Sequence, residues 1–115
     1  MKLALTAALL LLVAGCGSSG LTYGSASDVA TAADCASTKD LANADLELFV
    51  TNAVDCGVNG HTVTINWFKT TDALKTYRKT ADSFGGSGLA YGKNWAVECH
   101  DDQADCDAVV AAVKN

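Results

Sequence analysis

Apolar and polar side chains alternate most regularly over residues 61–68, the pattern of a strand with one buried face. The apolar positions of this segment are Val63, Ile65 and Trp67. Residues 46–51 alternate in the same way, and Asn59-Gly60, between the two segments, is a strong turn sequence. The two segments therefore predict a β-hairpin, with residues 55–60 as its turn region.

Apolar residues recur at helical spacing in three other segments, over about residues 28–36, 70–84 and 103–113. The second segment has the most complete apolar face, formed by Leu74, Tyr77, Ala81 and Phe84. Gly85-Gly86 directly follows this segment and is expected to end the helix. The pattern thus predicts three helices.

Residues 89–91 and 95–99 predict either one interrupted strand or two short strands. The sequence Gly92-Lys93-Asn94 forms the break between them. Trp95 and Val97 alternate with less apolar neighbours, so we expect both side chains to pack against the helices.

The predicted order of elements is α-β-β-α-β-α, which indicates a small α+β domain. We expect a three-stranded mixed sheet with the helices packed on one face. The second and third strands would run parallel, because a β-α-β connection is normally a right-handed crossover.

The amino terminus has the composition of an export signal. Lys2 precedes an apolar run over residues 3–14. A run of about 12 residues is too short to cross a hydrocarbon core of about 30 Å, but it fits the apolar region of a signal peptide. Small residues then lead into a cysteine in the sequence Val13-Ala14-Gly15-Cys16.

These four residues resemble the lipobox of bacterial lipoproteins. The resemblance implies cleavage between Gly15 and Cys16, thioether diacylation of Cys16, and attachment to the extracytoplasmic face of the cell membrane. An ordinary signal peptide with an incidental cysteine is the alternative. We therefore expect a signal peptide over 1–15, a lipidated flexible Gly/Ser/Ala-rich tether over 16–27, and a folded domain over 28–115.

The charge of the chain bears on its partners. Removal of Lys2 with the signal peptide would leave 7 of the 8 basic residues against 13 acidic ones, a net charge of −6. Nucleic-acid binding requires a basic surface, so this balance argues against it.

Four cysteines remain besides Cys16: Cys35, Cys56, Cys99 and Cys106. An even number of cysteines in an exported chain indicates disulfide bonds. Four cysteines allow three pairings, of which we favour the sequential one. A metal site is the alternative, because acidic residues and His100 adjoin Cys99, but no Cys-x-x-Cys spacing is present and no metal is expected.

The downstream chain contains a longer pattern. It consists of Cys56, Gly60-x-Thr62-Val63-x-Ile65-x-x-Phe68, a helix, and Gly92-Lys93-Asn94-Trp95-Ala96-Val97. Over about residues 30–113 the chain thereby resembles small exported domains of high-GC Gram-positive bacteria. In that pattern an early cysteine pairs with the one before the Gly-led strand. The resemblance therefore supports the Cys35–Cys56 pair, makes Cys99 and Cys106 an added pair, and implies no catalytic residue.

Catalytic chemistry has little support in the sequence. The chain has 2 histidines. We expect an exposed position for His61, next to a turn, and for His100, in an acidic loop. No Gly-x-Ser-x-Gly motif is present. The sequence therefore predicts a non-enzymatic protein without a cofactor.

We expect a lipid-anchored envelope protein that acts as a binding module for an envelope protein, a glycan or a small molecule. Such a module would present an exposed aromatic patch, predicted around Tyr91, Trp95 and the glycine-rich loop 85–88. The alternative is a surface interaction or blocking lipoprotein, for example of the phage-exclusion type.

Overall fold

The structure, a computed structural model, describes residues 21–114. The predicted signal peptide over 1–15 and the predicted cleavage and lipidation positions, Gly15 and Cys16, lie outside the described residues. Between residues 21 and 114, no helix is both long and apolar enough to cross a membrane.

Three α-helices, five strands and one short 3-10 helix make up the described part of the chain. They are α1 Ala26–Ala32, β1 Thr38–Asp40, the 3-10 helix Asn43–Asp45, β2 Asn52–Val58, β3 His61–Trp67, α2 Thr71–Ser83, β4 Leu89–Tyr91, β5 Trp95–Cys99 and α3 Gln103–Lys114. The strands form one sheet in the order β1-β2-β3-β5-β4. The α+β class is confirmed.

The sheet has five strands and all its neighbours are antiparallel, so the prediction of a three-stranded mixed sheet is wrong. Residues 89–91 and 95–99 are two strands of a hairpin, and Gly92 donates its N–H to the carbonyl of Trp95 across the turn (2.8 Å). The chain from α2 enters the edge strand β4, parallel in direction to β3. It then reverses, and β5 fills the place between them, with Val97 opposite Ile65.

The first predicted strand is also wrong, because residues 46–51 lie outside the sheet. The hairpin is formed by β2 and β3, with Cys56 opposite Val63 and Asn59-Gly60 as its turn. The region assigned to the turn, residues 55–58, therefore belongs to a strand. Glycine has a weak strand propensity, but at Gly57 a tertiary contact outweighs it. The backbone here lies so close to residue 37 that a Cβ at position 57 would be 2.6 Å from the Ser37 hydroxyl.

Helices cover both faces of the sheet, so the prediction that all pack on one face is wrong. α1 and α3 pack with Val54, Val63, Ile65, Trp95 and Val97 in the larger core. α2 lies on the opposite face, where Leu74 and Tyr77 pack with Phe68 and Ala96. The alternation of β5 explains this arrangement, because Ala96 and Val97 point to opposite faces.

Contacts with the domain begin before residue 28, the predicted start of the folded domain. Trp67 donates its indole N–H to the carbonyl of Tyr23 (2.6 Å), and Asn94 both donates to and accepts from the Tyr23 backbone. Ala26 donates its N–H to Asn52 (2.8 Å) at the start of α1. Residues 23–27 are therefore held against the domain by hydrogen bonds rather than forming part of a flexible tether.

Both disulfide bonds are the sequential pairs, which confirms the prediction of disulfide bonds. Cys35 and Cys56 have Cα atoms 5.4 Å apart, and those of Cys99 and Cys106 are 5.5 Å apart. The first bond ties the segment after α1 to β2, beside the pairing of Thr38 with Cys56. The second ties the end of β5 to the first turns of α3.

Candidate functional site

A pocket of about 300 Å³ opens between α2, residues 47–49 and the strands β4 and β5. We call it the α2 pocket. Its lining residues are Glu47, Leu48, Phe49, Tyr77, Thr80, Ala81, Phe84, Gly86, Ser87, Leu89 and Glu98. Its volume is at the lower end of the range for small-molecule sites, about 300–1,000 Å³.

The apolar face of α2 forms one wall of this pocket. In the first half of the helix, Leu74 and Tyr77 are buried against the sheet. Further along the same face, Ala81 and Phe84 line the pocket, and Phe84 is 87% exposed. The periodicity predicted the helical face correctly, but its C-terminal part is not core.

The segment that was expected to be a strand forms the opposite wall. Leu48 is 75% exposed and Phe49 is 40% exposed, and both line the pocket. Phe49 has a φ of +75°, in the left-handed region that favours glycine or asparagine. That backbone conformation costs an ordinary residue on the order of 1–2 kcal/mol. A bulky aromatic residue thus occupies a costly backbone position at the rim of a pocket.

Two carboxyl groups meet in the pocket. A hydrogen bond between the side chains of Glu47 and Glu98, together with burial and the charge of Glu98, raises the pKa of Glu47 to about 7. Glu98 is oriented by Asn66, whose side-chain N–H group donates to Oε1 at 3.1 Å. Glu47 therefore holds its proton at mildly acidic pH and loses it near neutrality.

Tyr77 extends the polar network into the core. Its hydroxyl accepts a weak hydrogen bond from Asn66 (3.4 Å). Burial, with the nearby carboxylates Glu98 and Glu47, raises the pKa of Tyr77. The side chain therefore remains a neutral phenol around neutral pH and supplies an aromatic edge to the pocket.

The predicted aromatic patch is wrong in one of its two residues. Trp95 is 3% exposed and belongs to the core shared with α1 and α3, as its alternation with Val97 indicates. Tyr91 is half-buried beneath the guanidinium of Arg78, 4.5 Å from the ring centroid. Neither residue lines the α2 pocket, but Gly86 and Ser87 of the glycine-rich loop do.

Both histidines make side-chain hydrogen bonds away from this pocket. His61 Nδ1 lies 2.7 Å from the buried Asp105 carboxylate, which also accepts from Asn59 (3.3 Å). This contact raises the pKa of His61 above its usual value. The cluster links the β2–β3 turn to the start of α3.

The second histidine is exposed and contacts a buried side chain of β3. His100 Nε2 is 2.9 Å from the Thr64 hydroxyl, which donates to Asp55 Oδ1 (2.9 Å). Neither histidine lines a described pocket. Among residues 21–114, no group of three or more histidine, cysteine and acidic side chains is placed to hold a metal ion.

The residues that form the pocket could not be found from local sequence signals. Glu47, Leu48 and Phe49 follow an alternation typical of a strand, and Glu98 lies between two core positions of β5. Only the tertiary fold brings the two glutamates together. Comparison with protein families, curated proteins and solved structures finds no match to this chain.

Proposed function

We propose that this chain is a lipid-anchored protein of the extracytoplasmic membrane face, and that it is a non-catalytic binding module whose ligand occupies the α2 pocket. One observation is central to the binding role. Of the four large apolar side chains that are exposed between residues 21 and 114, three line this pocket: Leu48, Phe49 and Phe84.

Clustered exposed apolar side chains indicate a surface that another molecule covers. The backbone at Phe49 supports this interpretation, because folding alone favours a smaller residue at a φ of +75°. A pocket is also more useful to a binding module than to a protein that only obstructs a receptor. For this reason we prefer the binding module to a blocking lipoprotein.

The lipid anchor is supported by the sequence. The short apolar run and Val13-Ala14-Gly15-Cys16 resemble the signal and cleavage region of lipoproteins. Two disulfide bonds agree with an exported protein, since such bonds persist in oxidising compartments.

The non-catalytic role rests on the contents of the pocket. It has no histidine, cysteine or lysine among its lining residues, so its hydroxyl groups lack the usual adjacent base. The Glu47–Glu98 pair could exchange a proton. However, within the described part of the chain, Glu98 is the hydrogen-bond partner of the Glu47 carboxyl, and no second group orients Glu47. We therefore assign the pair to binding.

Two leucines provide a matched test of the site. Leu48 is 75% exposed in the pocket, and Leu21 is 71% exposed outside it. In the full chain held in lipid nanodiscs, Leu48→Asn should weaken binding of an apolar amine, 4-phenylbutylamine, by about tenfold because it removes part of the pocket wall. Leu21→Asn should leave the affinity unchanged.

Binding is measured by equilibrium dialysis against empty nanodiscs, and thermal unfolding shows that both variants fold. Equal losses in the two variants would place the binding outside the α2 pocket and contradict the proposal. Absence of binding by the parent chain, both of this amine and of its neutral analogue 4-phenylbutanol, would contradict it as well.

A further inference from the structure

We propose that the α2 pocket selects organic amines, in which an ammonium group meets the Glu47–Glu98 pair while an apolar body covers Leu48, Phe49 and Phe84. This inference rests on the proposed binding function and specifies the chemical class of the ligand. The pocket combines the two features that such a ligand requires, an apolar wall and a localised negative charge.

The negative charge has no counter-charge within the pocket. The lining residues include two glutamates and neither lysine nor arginine. Arg78 lies on the same helix, but its guanidinium is placed over the Tyr91 ring. Glu98 is half-buried and Glu47 is exposed, and a nearby positive charge favours the ionised form of such carboxyl groups. An ammonium ion would supply that positive charge to both carboxylates.

The position of the Glu47–Glu98 pair on the pocket wall favours a contact with the cation of a ligand over one with a basic side chain of the protein. Glu98 is fixed by the hydrogen bond from Asn66 and belongs to β5, which is paired on both sides. Glu47 lies on the segment that also holds Leu48 and Phe49. A single ligand can therefore touch the charged pair and the apolar wall at the same time.

The aromatic residues of the wall suit a cation as well as an apolar body. The faces of Phe49 and Phe84 would attract an ammonium group within about 6 Å of the ring centroid, because the ring quadrupole is negative there. A neutral alcohol of the same shape lacks both this attraction and the carboxylate contact. An anionic ligand of the same shape would meet repulsion from Glu98.

The proposal also gives a pH dependence. Because Glu47 holds its proton below about pH 7, the ammonium ion must displace that proton at acidic pH and need not do so at alkaline pH. Amine affinity should therefore increase as pH rises through 7. The other titratable or charged groups around the pair belong to α2 and β4: Tyr77, Arg78, Asp82 and Tyr91.

Three probes of nearly equal shape test the ligand class with the full chain in nanodiscs: 4-phenylbutylamine, 4-phenylbutanol and 4-phenylbutyrate. We expect the amine to bind about tenfold or more tightly than the alcohol at about pH 8, and the carboxylate to bind most weakly. Between about pH 6 and pH 8 the amine affinity should rise while the alcohol affinity stays constant.

Variants that each remove one carboxylate test whether the Glu47–Glu98 pair causes the preference for the amine. Glu47→Gln and Glu98→Gln should each reduce the preference for the amine and remove its pH dependence, since one neutral amide replaces half of the pair. Asp107→Asn removes the same charge at an exposed position of α3 outside the pocket and should change neither property.

The outcomes separate the two proposals. Equal affinity for amine and alcohol, both weakened by Leu48→Asn, would overturn the amine assignment and leave the binding pocket in place. Binding of none of the probes would overturn both. An amine preference that is undiminished in both Glu47→Gln and Glu98→Gln would overturn the assignment of the carboxyl pair as the cation site.

Discussion

Removal of the Cys35–Cys56 disulfide, by Cys35→Ala with Cys56→Ala, is expected to lower the free energy of unfolding by about 3 kcal/mol. The bond closes a loop with a sequence separation of 21 residues. Opening such a loop increases the conformational entropy of the unfolded chain. Cys56 is also buried in the core between α1 and the sheet, so the loss of its sulfur atom removes packing as well.

The same substitution should affect the binding site, because Glu47, Leu48 and Phe49 lie inside the closed loop. The matched control is Cys99→Ala with Cys106→Ala. That bond spans a separation of 7 residues, so its removal should cost less, about 2 kcal/mol, and leave residues 47–49 connected as before.

Urea unfolding gives the two free energies, and amide hydrogen exchange gives the local protection of residues 46–50. We expect faster exchange in this segment only when Cys35 and Cys56 are replaced. A larger loss of stability on removing the shorter loop, or unchanged exchange after removing the longer one, would contradict this account of the first disulfide.

Cys16→Ser is expected to abolish lipid labelling of the protein. Serine has no thiol for the thioether bond, and stable attachment of a protein requires two or more lipid chains. Without them, the protein should leave the membrane fraction or accumulate as an unprocessed precursor. Metabolic labelling with an alkyne fatty acid in a bacterium that makes lipoproteins, followed by fractionation, measures both effects.

The double variant Cys35→Ala, Cys56→Ala is the control for this experiment. It also removes cysteines but leaves the lipobox residues unchanged, so it should keep its label and its place in the membrane fraction. Labelling that persists in Cys16→Ser would contradict the lipid anchor.

The sequence predicted β3 and the turn before it. Val63 and Ile65 are buried as the alternation indicates, although Thr64 and Asn66 on the opposite face are buried as well, and the Asn59-Gly60 turn lies where expected. Asp102 caps α3, since its carboxylate accepts from the N–H of Ala104 (3.0 Å). The turn and the cap depend on contacts close in sequence.

The wrong predictions concern segments whose structure depends on contacts between residues distant in sequence. Residues 38–40 are exposed and have no burial pattern, yet they form an edge strand because Ser37 and Gly57 pair across the adjacent disulfide (2.9 Å). Residues 46–51 have a strand pattern but do not join the sheet, in which β1 occupies the position beside β2. Local propensity cannot show which of these two segments forms a strand of the sheet.

The candidate site lies in the region that was hardest to predict. Its charged pair joins a residue outside the sheet, Glu47, to a residue of β5, Glu98, 51 positions away by their sequence numbers. Its apolar wall combines the end of α2 with a segment assigned to a strand. Trp95 was assigned to the surface patch because it is aromatic, but its indole lies against Gly92 in the β4–β5 turn.

The most direct test of the central claim, that the α2 pocket binds a small ligand, is photo-crosslinking in the membrane. p-Benzoylphenylalanine replaces Phe84, which is 87% exposed on the pocket rim, in the full chain. A control chain contains the same group in place of Lys93, which is exposed outside the pocket. After irradiation, mass spectrometry of the protein should detect a small-molecule adduct at position 84 and none at position 93. Adducts of equal yield at both positions, or none at position 84, would contradict the claim.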